Sequence, residues 1–145
     1  MKIFTAGFTR KPAEQFFTGL RQSGATRLVD VRLNNTSQLS AFAKRDDLRF
    51  FLKAICNMEY AHMLELAPTA EILDCYKKRQ CTWETYEARF LELMKARRIE
   101  STVSRESLKN ACLLCSEEKP HHCHRRLVAE YLQMHWPDVI IEHLN

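Results

Sequence analysis

Residues 113–127, LLCSEEKPHHCHRRL, concentrate reactive side chains directly after an apolar run. The segment holds two cysteines, two glutamates, three histidines and two arginines within fifteen positions. Thiols and imidazoles bind metals, transfer protons or act as nucleophiles, and arginines bind anions. The sequence therefore predicts a functional site here without deciding between these kinds of chemistry.

A metal site is the first interpretation of this segment. Its candidate ligands, spaced like those of zinc sites, are Cys112, Cys115, Cys123 and His124. Residues 111–116 are predicted to form a strand, however, and strand residues three apart point to opposite faces. Cys112 and Cys115 then cannot hold one ion together. A smaller set of three ligands remains, and we expect neither a metal nor a cofactor.

An anion site is the second interpretation. Residues 120–123 lead into a predicted helix, whose first turn offers unpaired N–H groups and the positive end of the helix dipole. Arg125 and Arg126 lie in that first turn, and one of them can hold a phosphate with two hydrogen bonds. Arg10 and Arg32 are predicted to reach the same region from the ends of neighbouring strands.

Thiol chemistry is the third interpretation. Cys123 at the helix N-terminus, beside His124 and Arg125, is where a thiolate would be stabilised. The Cys-x5-Arg pattern of cysteine phosphatases is absent from the chain. Cys115 and Cys123 bracket a strand-to-helix turn, which predicts that they approach closely enough to pair under oxidation.

The fourth interpretation is purely structural. Buried cysteines then act as small hydrophobic residues, Glu117 or Glu118 caps the last helix, and the arginines pair with Asp30 and nearby glutamates. Asp30 and Arg32 are two residues apart and share one face of a predicted strand, which favours such a pair.

Short apolar or alternating segments alternate with helical ones along the chain. The predicted strands are residues 2–8, 26–33, 59–64, 111–116 and 139–144. Strands joined through helices need crossover connections. These predict a three-layer α/β fold, a mainly parallel five-stranded sheet with helices on both faces. With 145 residues, the chain 1–145 is expected to form a single domain.

Five helices are predicted between the strands. The first runs from residue 12 to residue 24, the second is capped by Asp46 or Asp47, the third begins at residue 68, and the last covers about 122–135. The fourth carries an aromatic stripe that includes Trp83, Tyr86 and Phe90. We interpret this stripe as core packing rather than as a platform for nucleobases.

Ligands of open α/β sheets bind beyond the carboxyl ends of the strands. This rule selects the candidate residues Gly7, Arg10, Asp30, Arg32, Cys115 and Glu117. Gly7 would let the backbone approach the ligand closely. The segment 113–127 follows one of the same strand ends, so its reactive groups are expected in the same pocket.

The composition excludes several other classes of protein. With 46% hydrophobic and 28% charged residues, the chain is an ordinary globular protein rather than a disordered one. No apolar run approaches the roughly 20 residues of a membrane span, and the start, MKIFTAGFTRK, is too polar for a signal peptide. Six cysteines then favour free thiols in the cytoplasm over a disulfide scaffold.

The positive charge is concentrated in residues 77–109. This segment holds nine lysines or arginines and five glutamates, and so carries the whole net charge of +4. Such a segment is typical of a surface that binds nucleic acid or another polyanion. The alternative is a pair of solvated helix faces with no partner.

Over essentially its whole length, the chain resembles the domain-of-unknown-function family numbered 488. The likeness is strongest in residues 28–48, 66–90 and 113–132. Its most specific part is a C-x-E-x5-CHR pattern, formed here by Cys115, Glu117, Cys123, His124 and Arg125.

Two further family patterns can be compared with the chain. The Asp-x-Arg pattern is present as Asp30 and Arg32. The N-terminal Thr-Ile-Gly-His-Ser pattern is changed, so that Phe8 stands where the family has histidine, and any catalytic role of that histidine is not open to this protein. The resemblance implies a small α/β protein and no established activity.

These observations predict a polar pocket at the carboxyl ends of the strands. We expect an enzyme, or a former enzyme, acting on an anionic substrate such as a nucleotide, a nucleic acid or a phosphorylated metabolite. Arg32 and Arg125 would clamp the anion. Cys123 would be the reactive thiol, and Glu117 or His124 would move protons. A non-enzymatic module that binds nucleic acid or protein through residues 77–109 is the alternative, and no membrane partner is expected.

Overall fold

The computed structural model describes residues 1–117 and 120–144. Its strands are β1 (Lys2–Gly7), β2 (Arg27–Asp30), β3 (Glu59–His62), β4 (Ala111–Cys115) and β5 (Ile140–His143). Its α-helices are α1 (Ala13–Ser23), α2 (Arg45–Phe51), α3 (Ala70–Lys77), α4 (Trp83–Arg97), α5 (Ile99–Thr102), α6 (Arg105–Leu108) and α7 (His124–His135). No helix within these described ranges is long and apolar enough to span a membrane.

The five strands form one sheet in the order β3-β2-β4-β1-β5, and each neighbouring pair is parallel. The predicted α/β fold is confirmed. The strand predicted at 26–33 ends early, at Asp30. The Asp30 carboxylate accepts a hydrogen bond from the backbone N–H of Arg32 at 3.1 Å, which turns the chain out of the sheet.

Helices cover both faces of the sheet, as predicted. Helices α1 and α2 pack into one core, and α4 and α7 pack into the other. The β4 side chains alternate between them: Cys112 and Leu114 belong to the core of α1, and Leu113 and Cys115 belong to the core of α7. The prediction that Cys112 and Cys115 point to opposite faces is therefore confirmed.

The first predicted helix is confirmed at both ends. Helix α1 follows Pro12 and ends at Gly24, whose φ of 88° is the left-handed conformation that glycine favours. The prediction that Asp46 or Asp47 caps the second helix is wrong. The N-cap residue of α2 is Lys44, and both aspartates lie in the first turn, where their charge interacts favourably with the helix dipole.

The connections leave the sheet toward opposite faces around β4. Strands β1 and β2 are followed by α1 and α2 on one face, whereas β4, which lies between them, is followed by α7 on the other. Such a reversal opens a crevice beyond the carboxyl ends of the strands, where α/β proteins bind ligands.

Candidate functional site

A cavity of about 750 Å³ opens beyond the carboxyl ends of β1, β2 and β4. The lining residues that follow these strands or begin α7 include Phe8, Arg32, Cys115, Glu117, Cys123 and His124. Residues of α3 and α4 line the cavity as well. The structure therefore brings five of the nine predicted site residues to one cavity.

Cys115 and His124 form a hydrogen-bonded pair in this cavity. The Sγ atom of Cys115 lies 3.5 Å from Nδ1 of His124, and both side chains are almost fully buried. Nε2 of His124 lies 2.7 Å from the carbonyl oxygen of Val31. Because a carbonyl oxygen only accepts, Nε2 carries a proton and Nδ1 is turned toward the thiol. A thiol, an imidazole and a carbonyl group that orients the imidazole thus form a hydrogen-bonded series.

Cys123 lies close to this pair and is the N-cap residue of α7, which begins at His124 rather than at residue 122. Its Sγ atom, the Sγ atom of Cys115 and a ring nitrogen of His124 all lie within 4.8 Å of one another. These are the three residues that the spacing left open for a thiophilic metal ion. The four-ligand set is excluded because Cys112 lies on the other face of β4.

The pKa values of Cys115 and Cys123 are shifted in opposite directions. The direction at Cys123 is opposite to that of the predicted thiolate. Hydrogen bonding from Cys123 holds the pKa of the Cys115 thiol well below its usual value, outweighing burial, and the charge of His124 acts in the same direction. Burial and the hydrogen bond to Cys115 raise the pKa of Cys123 well above its usual value, although Arg125 opposes this. Burial lowers the pKa of His124, but the charge of Cys115 and the hydrogen bonds to Cys115 and Val31 together outweigh it, so the pKa of His124 is raised. The two pKa shifts therefore favour a thiolate at Cys115 over one at Cys123, in the direction opposite to the prediction.

Arg32, which lines this cavity, contains a donor that has no partner among the described residues. Its Nε and Nη2 atoms donate to the two carboxylate oxygens of Asp30 at 2.8 and 2.7 Å, and Nη2 also donates to the carbonyl oxygen of Ala43. Nη1 has no hydrogen-bond partner within the described part of the chain, although the side chain is only 5% exposed. An unsatisfied buried donor costs stability. The Arg32 side chain, which lines the cavity, therefore contains one buried donor that the described residues leave unsatisfied.

Asp30 is fully buried, does not line the cavity and acts by positioning Arg32. Its Oδ2 atom also accepts hydrogen bonds from the Tyr60 hydroxyl at 2.6 Å and from the Asn35 amide at 3.4 Å. Burial and the bond to Asp30 raise the pKa of Tyr60, which therefore remains a donor. Sequence reasoning missed Tyr60 and Asn35. The only available signal was that Tyr60 lies in a predicted strand.

Arg125 and Gly7 do not line the cavity but hold the loop after β4 against β1. The fully buried Arg125 donates from Nε to Thr5 Oγ1 at 3.4 Å and from Nη1 to the carbonyl oxygen of Glu117. A Cβ atom at Gly7 would overlap that carbonyl oxygen and would lie 2.6 Å from Nη1 of Arg125. This placement does not match the anion clamp predicted for Arg125 or the ligand approach predicted for Gly7. The space beside Gly7 is already filled by the chain itself.

The remaining predicted residues divide between the cavity and its surroundings. Glu117 is exposed and lines the cavity, whereas Arg10, also exposed, does not line it and occupies a turn with a φ of 64°. The helix cap predicted for Glu117 is replaced by Cys123. Glu118, the other predicted cap, lies outside the described residues.

Aromatic rings of α4 border the cavity. Trp83 and Tyr86 stack with ring centres 5.1 Å apart, and His122 stacks on Trp83 at 4.9 Å. The later part of the aromatic stripe, Phe90 and Met94, is fully buried in the core. Trp83 and Tyr86 belong to the same buried core, so the core interpretation is confirmed for these rings as well, although they also line the cavity.

The basic segment 77–109 does not form one uniform surface. Lys77 and Arg79 are exposed and line the cavity. Arg97 donates to three backbone carbonyl oxygens, and Arg105 pairs with Asp138 at 2.7 Å. Part of the charge thus lies at the cavity, and part of it stabilises the fold.

Comparison with known protein families gives a match over most of the chain. The family model for the domain of unknown function DUF488 matches residues 12–132. No curated protein and no solved structure matches the chain. Because the match covers most of the chain, the protein belongs to the DUF488 family.

Proposed function

We propose that this protein is an enzyme that uses Cys115 as a nucleophile toward an anionic substrate, with His124 as its base. The Cys115–His124 pair carries the proposal, because a thiol beside an oriented imidazole in a cavity is the arrangement of nucleophilic cysteine enzymes. Cys115 attacks an electrophilic centre of the substrate, and His124 takes up and returns the proton. Glu117 at the same cavity is the second group that can transfer protons.

The side chains around this pair favour a substrate that combines a negative charge with a flat ring. Nη1 of Arg32 lacks a partner among the described residues, and Lys77 and Arg79 add positive charge. The rings of Trp83, Tyr86 and His122 form an aromatic wall of the same cavity, which suits contact with a flat ring of the substrate. A nucleotide satisfies both requirements, and so does another phosphorylated aromatic compound.

The free thiols also favour a reducing compartment for the proposed enzyme. All six cysteines are unpaired. A nucleophilic thiolate persists only where thiols are kept reduced. We therefore place the enzyme in the cytoplasm.

A non-enzymatic nucleic-acid-binding module is the second candidate, and the exposed cations of residues 77–109 favour it. Such a module would use its cations jointly along one surface, so its affinity would fall steeply with salt. The enzyme proposal instead requires that cations at the cavity matter and that distant ones do not. The two candidates therefore differ in whether a lysine far from the cavity affects binding as much as a lysine at the cavity does.

Cys115 is expected to react with iodoacetate at pH 7 at least about tenfold faster than Cys112. The lowered pKa of Cys115 supplies thiolate, and Arg32 attracts the carboxylate of the reagent, whereas burial raises the pKa of Cys112 to about 12. Mass spectrometry of labelled peptides measures both rates. The rate at Cys115 should level off below the ordinary thiol pKa of about 8.5, because a lowered pKa preserves thiolate as pH falls.

Three controls accompany this measurement. His124→Gln should slow labelling of Cys115 by about tenfold and leave Cys112 unchanged, because it removes the imidazolium. Neutral iodoacetamide should react less readily than iodoacetate, and inorganic phosphate should protect against iodoacetate. Equal, slow labelling of Cys115 and Cys112 in the folded protein would refute the proposal.

Lys77→Gln is expected to weaken binding of adenosine monophosphate by about two- to fivefold, because an exposed charge contributes up to about 1 kcal/mol. Trp83 fluorescence reports binding once Trp136 is replaced with phenylalanine. Lys95→Gln, an equally exposed change in the same segment, should leave the affinity unaltered. Equal losses from both variants would contradict the cavity site and favour the nucleic-acid-binding module.

A further inference from the structure

The proposed reaction leaves Cys123 without a role, although its thiol lies beside the nucleophile. The two Sγ atoms are within 4.8 Å of each other, and Cys123 forms a hydrogen bond with Cys115. Both side chains line the cavity, so a small reagent that reaches one of them meets the other. A second thiol next to a nucleophilic thiolate is the arrangement in which an oxidised sulfur is captured as a disulfide.

The two sulfur atoms are close enough to meet after a short movement. A disulfide joins sulfurs about 2.05 Å apart, so the two atoms must approach by no more than about 2.8 Å. Cys123 is the N-cap residue of α7, and its side chain makes no capping hydrogen bond there. Rotation of its side chain therefore breaks no bond that starts the helix.

We propose that Cys115 and Cys123 form a reversible disulfide when a hydroperoxide oxidises Cys115. The proposal rests on the proposed function only in taking Cys115 as the reactive thiol. Cys123 is then the resolving cysteine, which traps the oxidised nucleophile before a second oxidant molecule reaches it. The enzyme is switched off while the disulfide persists and recovers when a thiol reduces it.

The chemistry proceeds in two steps. The Cys115 thiolate attacks the hydroperoxide, a sulfur–oxygen bond forms, the oxygen–oxygen bond breaks, and the alcohol leaves with a proton from the His124 imidazolium. The sulfur is oxidised to a sulfenic acid, and the hydroperoxide is reduced. Cys123 then loses its proton and attacks Cys115, the sulfur–sulfur bond forms, and the hydroxyl group leaves as water.

Neighbouring groups favour the second step. Nη1 of Arg125 lies 3.7 Å from the Sγ atom of Cys123, so its charge stabilises the thiolate that must form there. Cys112 cannot compete as the resolving thiol, because its side chain is buried on the opposite face of β4. The geometry therefore selects Cys123 alone among the cysteines of this segment.

The test treats the full chain with equimolar hydrogen peroxide at pH 7 and follows its intact mass. The wild-type protein should lose two hydrogens, and dithiothreitol should restore them. After alkylation under denaturing conditions, Cys112 should be labelled, whereas Cys115 and Cys123 should not. In Cys123→Ser, Cys115 should instead gain oxygen, and its yield of sulfinic acid should rise by about fivefold over wild type. Cys112→Ala is the matched control and should form the disulfide normally.

Several outcomes would overturn the inference. One is conversion of wild-type Cys115 to sulfinic acid without loss of the Cys123 thiol, and another is a disulfide that involves Cys112. A stoichiometric metal that copurifies with the protein and blocks both thiols until a chelator is added would also overturn it. Rapid iodoacetate labelling of Cys115 in the same preparation would show that the proposed function survives such a failure. Loss of that labelling would instead count against the proposed function itself.

Discussion

Replacing Asp30 with asparagine is expected to lower the free energy of unfolding by about 3–5 kcal/mol, the usual cost of breaking a buried ion pair from one side. Asp30 is fully buried and Arg32 is only 5% exposed, so water cannot replace the lost charge. The substituted amide also meets only donors, because the Arg32 guanidinium and the Tyr60 hydroxyl both donate to this carboxylate. Urea denaturation followed by circular dichroism measures the loss.

Two variants test this explanation. Asp47→Asn removes an aspartate of α2 that is 53% exposed and lies 3.7 Å from Lys44, so it should change stability by less than about 1 kcal/mol. Tyr60→Phe removes one donor to Asp30 and should cost about 1 kcal/mol, even if the Asp30 variant does not fold. An Asp30→Asn protein as stable as Asp47→Asn would show that the buried pair does not support the fold.

Gly7→Ala is expected to lower the free energy of unfolding by about 3 kcal/mol, at the upper end of the usual cost of overpacking. The added methyl group would overlap the carbonyl oxygen of Glu117 and would lie 2.6 Å from Nη1 of Arg125. Both atoms belong to the contact that holds the loop after β4 against β1. The loop must therefore move, and because Glu117 lines the cavity, iodoacetate labelling of Cys115 should change along with stability.

Gly19→Ala is the matched control for this substitution. Gly19 lies within α1, and nothing lies within 4 Å of an added Cβ atom. This change should raise the free energy of unfolding by about 0.5–1 kcal/mol, because alanine favours the helix over glycine. If Gly7→Ala behaved like Gly19→Ala, the loop would not pack against β1 as closely as the structure describes.

The fold could largely be predicted from local patterns, but the ends of its elements could not. Apolar periodicity reports which side of an element is buried, and this was enough to predict five strands and five of the seven α-helices in the described part of the chain, but not the four-residue helices α5 and α6. The end of β2 depends instead on a hydrogen bond from the backbone of Arg32 to the Asp30 side chain. The start of α2 at Lys44, ahead of both predicted aspartate caps, likewise carries no periodic signal.

The location of the candidate site was also predictable, whereas the roles of its residues were not. Ligands of open α/β sheets bind beyond the carboxyl ends of the strands, and residues 113–127 carry reactive groups directly after such an end. Together these two observations indicated the cavity. Cys123 and Arg125 lie at the N-terminus of α7, where the sequence predicted a thiol and a cation. Yet Arg125 supports the loop, and the lowered pKa is that of Cys115 rather than that of Cys123, because burial and hydrogen bonding shift pKa values and neither can be read from spacing.

The sequence by itself determined that Cys112 and Cys115 point to opposite faces, because a strand alternates its side chains with a strict period of two. Only the tertiary structure decided that Cys115 lies beside His124 and that its pKa is the lowered one of the two cysteines. The carbonyl of Val31 orients His124 across 93 residues of chain, and Tyr60 secures Asp30 across 30. Each of these partners is an ordinary backbone or side-chain group, and nothing in its local sequence marks it. It acquires its role because the parallel sheet brings β2, β3 and β4 side by side.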